Sequence, residues 1–159
     1  MTVNKERVQL LVDALRSGKY KQTRTKLRIT TSSTGEQAHC CLGVACEIAI
    51  QNGVAVTVTA DTIYNTRQDE FDGTTKVLPY SVSSWYGFDH ADPILFYIEG
   101  AEYSAASLND DGVEDYWAEN QDDRLGIKEP WNFEQIADAF EHRFIQRKET
   151  GLWPLVEIE

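Results

Sequence analysis

The sequence predicts an α+β fold. One compact domain is expected, with a buried central helix and amphipathic helices near each end of the chain packed on a small, mainly antiparallel sheet. Three observations lead there. The run from His39 through Cys40, Cys41 and Cys46 to Ile50 is the longest apolar stretch and holds every cysteine, with His39 and Glu47 alone favouring water. That is the pattern of a helix buried on most of its circumference. Apolar residues recur at helical spacing over Val8, Leu11, Val12 and Leu15, and again over Phe133, Ile136, Ala137, Phe140 and Phe144. Between these segments lie short alternating or continuous apolar runs bounded by turn residues, which read as strands.

A chain of 159 residues falls in the single-domain range and buries roughly 70% of its unfolded surface, so it needs no disulfide or metal to fold. The formal net charge of −11 opposes affinity for a nucleic-acid backbone, and no direct nucleic-acid binding is expected. Three cysteines within seven positions do not make a secreted disulfide framework, and adjacent Cys40 and Cys41 are poorly placed to pair. Reduced thiols and a cytoplasmic setting follow. The first residues are charged where a signal peptide turns apolar, and no run approaches the ~20 residues of a membrane span. Neither export by that route nor a membrane contact is expected.

In order, Asn4 caps the first helix and Gly18 stops it. Residues 1–29 then hold eight bases against two acids, a local +6 in an acidic chain. A strand over residues 23–29 puts Arg24, Lys26 and Arg28 on one face as a cationic rail, with Leu27 and Ile29 on the other. Residues 30–37 form a loop into the central helix, which Asn52 and Gly53 end. Val54, Val56 and Val58 alternate as a half-buried strand, residues 62–67 pair with it, and Phe71, Asp72 and Gly73 make a turn. Pro79 opens a short helix that Gly87 closes. The continuous apolar run Ile94, Leu95, Phe96, Tyr97, Ile98 reads as a central strand. Residues 99–123 contain nine carboxylates and no Lys or Arg, so this segment is solvated or meets something cationic. The last helix starts after Asn132, with Gln135 completing a capping box, and ends in Arg143, Arg147 and Lys148 ahead of Gly151. Residues 152–156 are apolar enough to pack on the core.

A set of blocks then becomes recognisable. They are residues 14–22 around Ser17, Gly18 and Lys19; the Cys40, Cys41, Leu42, Gly43, Val44, Ala45, Cys46 block; Leu78 and Pro79 before Trp85, Tyr86 and Gly87; Leu108, Asn109, Asp110, Asp111 and Gly112; and residues 133–138. In this order the chain resembles a family of small uncharacterised proteins encoded by tailed bacteriophages and prophages, common among phages of actinobacteria. The resemblance spans residues 14–141 and is most specific in the double-cysteine block. It departs at residues 113–132, an acidic insertion where the last helix is expected sooner. The resemblance implies a phage origin and an intracellular host setting, and it carries no catalytic residues.

Five chemistries can be weighed on the residues. Cys40 near a helix N-terminus, with His90 or His142 as base, would make a cysteine-dependent hydrolase of papain-like arrangement; buried cysteines more often serve as small hydrophobes. A zinc site is disfavoured, because His39 and Cys46 sit about 10 Å apart along a helix and Cys40 and Cys41 diverge by about 100°. An EF-hand reading of Asn109, Asp110, Asp111 and Gly112 fails, since it puts Ser107 at the first loop position and Ala118 at the twelfth. No metal or cofactor is therefore expected. The acidic run, with Tyr103, Tyr116 and Trp117 interleaved, could imitate nucleic-acid charge, and its Asp110, Asp111, Glu114 and Asp115 are the candidate contacts to a host protein. The basic rail offers a pocket for a small anionic nucleotide, with Arg24, Lys26 and Arg28 on phosphate and Tyr20 or Trp85 on the base. The expectation is a phage accessory factor that acts by binding, with the cysteine hydrolase as the alternative.

Overall fold

A computed structural model describes residues 2–63, 66–98, 100–113 and 129–148. The acidic insertion, apart from its ends, lies outside the described residues, as do Glu114, Asp115, Tyr116, Trp117, Gly151 and residues 152–156. Among the described residues, five helices and two antiparallel sheets build an α+β domain.

Helix α1 (Lys5–Arg16) is capped by Asn4, whose Oδ1 accepts from the Arg7 amide at 3.1 Å, and it buries Val8, Leu11, Val12 and Leu15. An irregular segment, residues 17–27, then leads to β1 (Arg28–Thr31) and β2 (Gln37–His39), and β2 runs straight into α2 (Cys41–Gln51). All of α2 is buried from Cys41 to Ala49 except Glu47. Gly43 explains how closely it lies on the chain beneath, for a Cβ there would sit 1.7 Å from the Leu27 carbonyl oxygen. Only glycine permits that approach.

The next hairpin is β3 (Val58–Ile63) with β4 (Thr66–Phe71), followed by α3 (Tyr80–Tyr86), which Gly87 ends in the left-handed region at φ +81°. A second hairpin, β5 (Ile94–Ile98) with β6 (Ala101–Ser104), precedes α4 (Ala105–Asp110) and α5 (Phe133–Phe144). The capping box expected at Asn132 and Gln135 is present, with both bonds at 2.9 Å. The strands divide into a four-stranded sheet in the order β2-β1-β4-β3 and a separate β5-β6 pair. Helix α2 contacts α1, α3 and α4, while α1 packs most extensively on α5. Arg16 at the end of α1 bridges Glu134 at 3.4 Å, Glu141 at 2.8 Å and Asp138, all on α5.

Three expectations change. Residues 23–29 do not form a strand: Thr25 has φ +65° and pairing begins only at Arg28. The physical reason is that the backbone there is claimed by loops, with the Thr25 amide donating to Asp110 Oδ1 at 2.9 Å and the Leu27 amide to the Thr75 carbonyl at 2.7 Å. The valine alternation keeps Val54 and Val56 half-buried against the core, but the strand itself starts at Val58, which faces outward. Thr57 is held by the Asp72 side chain and amide instead of by a neighbouring strand. The run Ile94–Ile98 is not central to a sheet. It is apolar because Leu95, Phe96 and Ile98 are buried, Phe96 lying between the rings of Tyr103 and Trp131, each 5.4 Å away.

Candidate functional site

The register of the larger sheet sets His39, Arg28 and Asp69 side by side across β2, β1 and β4. Helix α2 lowers Glu47 onto the same row. Arg28 Nε donates to Asp69 Oδ2 at 2.7 Å and Nη1 to Glu47 Oε1 at 2.6 Å, with the guanidinium 5.1 Å from the Phe71 ring centre. Asp69 also accepts from Thr30 Oγ1 at 2.9 Å and Arg67 Nε at 3.0 Å. Glu47 Oε1 lies 3.1 Å from His39 Nε2. Two arginines therefore face two carboxylates, and the formal charges cancel.

The electrostatics agree with closure. Burial works to raise Glu47, but the hydrogen bonds from His39 and Arg28 outweigh it and hold the carboxyl below its usual range. Burial works to lower Arg28, and the bonds to Asp69 and Glu47 reverse that. His39 does not face water as its residue type suggests, while Glu47 is half-buried: the imidazole is 5% exposed, and its Nδ1 has no hydrogen-bond partner. A carboxylate-oriented imidazole with an unengaged nitrogen is the form of a general base. Here the Tyr20 ring covers it edge-on at 5.2 Å.

The expected nucleotide pocket is not assembled. Arg28 has both carboxylates bound, so a phosphate would have to displace them. Arg24 is exposed on a bend and Lys26 is half-buried. Tyr20 packs on His39, and its hydroxyl accepts from Gln51 Nε2 at 3.2 Å. Trp85 lies under Arg7, whose guanidinium carbon is 4.8 Å from the ring centre and whose Nη1 donates to the Trp85 carbonyl at 2.7 Å.

Nor are the hydrolase residues brought together. Cys40 is the N-cap of α2 and only 3% exposed. Burial pushes its thiol up to about 11, although the amides of Gly43 and Leu42 pull it down as a helix N-terminus should. Cys41 and Cys46 are buried and raised further by the same cause. His90 is exposed and lines a cleft of about 80 Å³ with Asp89, Ile94, Tyr97 and Arg143, a lining that does not include Cys40. His142 is buried, with Nδ1 accepting from the Lys148 amide at 2.7 Å.

The acidic candidates divide. Asp111 is exposed at the end of α4, whereas Asp110 accepts from the Thr25 amide and from Asn109 Nδ2, each at 2.9 Å. Tyr103, expected to be part of the acidic display, is 8% exposed. Asn109 is the residue that composition hides. Wholly buried, its Oδ1 accepts from Gln22 Nε2 at 2.9 Å and from the Cys41 amide at 3.2 Å, while Nδ2 donates to the Thr23 carbonyl at 2.9 Å. It supplies the cap that Cys40 cannot give to α2. The only sequence signal for this was its place in the Leu108 to Gly112 block.

Among the described residues there is no metal-holding cluster of His, Cys, Asp and Glu, and no helix is long and apolar enough to cross a membrane. Fold and site together define a small α+β protein whose polar core is closed on itself. The chain belongs to a family known as a domain of unknown function, DUF8296, whose model matches residues 3–144. No curated protein and no solved structure matches it.

Proposed function

We propose that the protein acts by binding and not by catalysis, as a phage accessory factor whose acidic surface meets a host protein. The observation that carries this is the closed network of Arg28, Asp69, Glu47 and His39. The groups suited to holding an anion or moving a proton are consumed internally, and the surplus negative charge is left to the surface. The phage setting rests on the resemblance of the double-cysteine block. Of the expected rail, a nucleotide ligand is left with Arg24 and Lys26 as cations, without Arg28.

The test compares the native chain with a variant carrying Asp111→Asn, Glu114→Gln and Asp115→Asn; Asp110 is kept because it holds Thr25. Each is immobilised and exposed to host lysate. One protein captured in stoichiometric amount, and lost both in the variant and at high salt, is the expected result. An equal catch from both forms overturns the acidic contact. Nucleotides are expected to leave the melting temperature unchanged, and a shift abolished by Arg24→Ala would move the function to the basic loop.

A further inference from the structure

The larger sheet treats its two edges differently. Beside β2, residues 21–23 close the edge, the His39 amide donating to Lys21 and the Thr23 amide to His39, both at 2.8 Å. The opposite edge is β3, whose only partner among the described residues is β4. Val58, Thr59, Ala60, Asp61 and Thr62 are all exposed, so β3 is bare on both faces as well as along its outer side. An open edge of this kind is a template for another strand.

Two further features accompany it. Large apolar side chains are exposed at four described positions, Leu10, Val58, Val77 and Tyr80; Val58 opens β3, and the turn after β4 leads to Val77 and Tyr80. Asp72 ties that corner together, its Oδ1 accepting from the Thr57 amide at 2.7 Å and its Oδ2 from Ser81 Oγ at 3.3 Å. Thr74 Oγ1 fastens the Val77 carbonyl at 2.7 Å. The second feature is charge. Register puts Thr59 opposite Glu70 and Asp61 opposite Gln68 on one face of the hairpin, and Asp61 has no partner among the described residues. Arg67 lies on the other face, bound to Asp69.

We propose that the β3 edge docks an extended, basic segment of another polypeptide. Alternate side chains of that segment set Lys or Arg beside Asp61, on the face that carries Glu70 one strand further in, and small or apolar residues beside Val58 and Ala60. Its end rests on Val77 and Tyr80. A second copy of this chain fits less well. Pairing about a two-fold axis at Ala60 makes the two Asp61 carboxylates diagonal neighbours on one face with both Glu70 side chains, in chains of −11 each. The charge that deters self-pairing is the charge that admits a basic strand. This inference rests on the binding reading and gives it a place.

The probe is a short synthetic peptide of alternating lysine and valine, added to the full chain and followed by fluorescence anisotropy and amide hydrogen exchange. Saturable binding is expected, with slowed exchange over residues 58–62. Asp61→Lys, at an exposed site that leaves the fold intact, weakens it about fivefold. Methylating alternate peptide nitrogens keeps the charge, removes the ladder donors and abolishes binding. Absence of binding, equal binding of the methylated peptide, or protection mapping elsewhere overturns the proposal. So does a native homodimer protected along β3, which gives the edge to a second copy. If the peptide fails while host-protein capture through Asp111, Glu114 and Asp115 persists, only the β3 inference falls.

Discussion

Replacing Arg28 by alanine separates a structural cation from a ligand-binding one. The truncation removes the 2.7 Å bond to Asp69 and the 2.6 Å bond to Glu47, leaving a buried and a half-buried carboxylate one cation short. Removing one member of a buried ion pair costs about 3–5 kcal/mol. Asp69 keeps Thr30 and Arg67, and Glu47 keeps His39, so the lower end, about 3 kcal/mol, is expected. For a chain of this size that lowers the melting temperature by roughly 6–12 °C. Arg24→Ala, at an exposed bend, should change stability by less than about 0.5 kcal/mol. Urea unfolding followed by tryptophan fluorescence measures both. The pH dependence supplies a second readout. Glu47 is held below its unfolded value of 4.5, so its contribution is complete above that value and is lost as pH falls through the lower folded one. Without Arg28 that increment shrinks, and the gap between the two proteins narrows in acid. A loss below about 1 kcal/mol at neutral pH, unchanged in acid, would show that Arg28 does not hold the core and would refute the argument from internal neutralisation.

Asn109→Ala should cost about 2–3 kcal/mol in the same unfolding assay, because the Cys41 amide, Gln22 Nε2 and the Thr23 carbonyl all lose a partner within the protein. Asp111→Asn on the exposed end of the same helix should be neutral. Gly43→Ala should abolish the sharp near-ultraviolet circular dichroism of the folded chain, since the added methyl meets the Leu27 backbone oxygen at 1.7 Å. Cys40, raised to about 11, should be ionised in roughly one molecule per thousand at pH 8. Iodoacetamide should then label none of the three cysteines over an hour on native protein and all three in guanidinium; stoichiometric labelling within minutes would restore the hydrolase.

The helices were legible where local chemistry decides them. Asn4, Asn132 with Gln135, and Gly87 are caps whose partners lie within a few residues, and the apolar stripes of α1 and α5 face the core as their spacing requires. Residues 23–29 were misread because a period of two says nothing about what the backbone meets. Leu27 must pass beneath Gly43, and Thr25 must reach Asp110, a residue 85 positions away. Helix α4 has six residues and a Ser104 and Ser107 box, too little periodicity to detect inside an acidic run. One link was within reach. His39 and Glu47 are eight residues apart across the start of a helix, and a histidine and a glutamate at the ends of an otherwise apolar segment are candidates to pair with each other before they are candidates for water. Arg28 could not be added to them without the register of β1 on β2.

Internal pairing is why a chain with so basic a beginning presents an acidic exterior. Arg7 is spent on Trp85, Arg16 on three carboxylates of α5, Lys21 on Glu36 and Arg28 on the sheet. The carboxylates on Arg16, Lys21 and Arg28 cancel those positive charges close to where they arise, which weakens the N-terminal excess as an outward field, whereas Arg7 on a neutral ring keeps its charge. Asp61 of β3, Glu70 of β4 and Asp111 at the end of α4 make no ion pair among the described residues, and their potential reaches solvent. A cationic partner approaching that side is accelerated by long-range attraction that salt weakens, while its residence time depends on the short-range ladder and apolar contacts it makes on arrival. Ionic strength should therefore act on the association rate, and backbone methylation of a docked strand on the dissociation rate. A surface that bound through charge alone would show only the first of these.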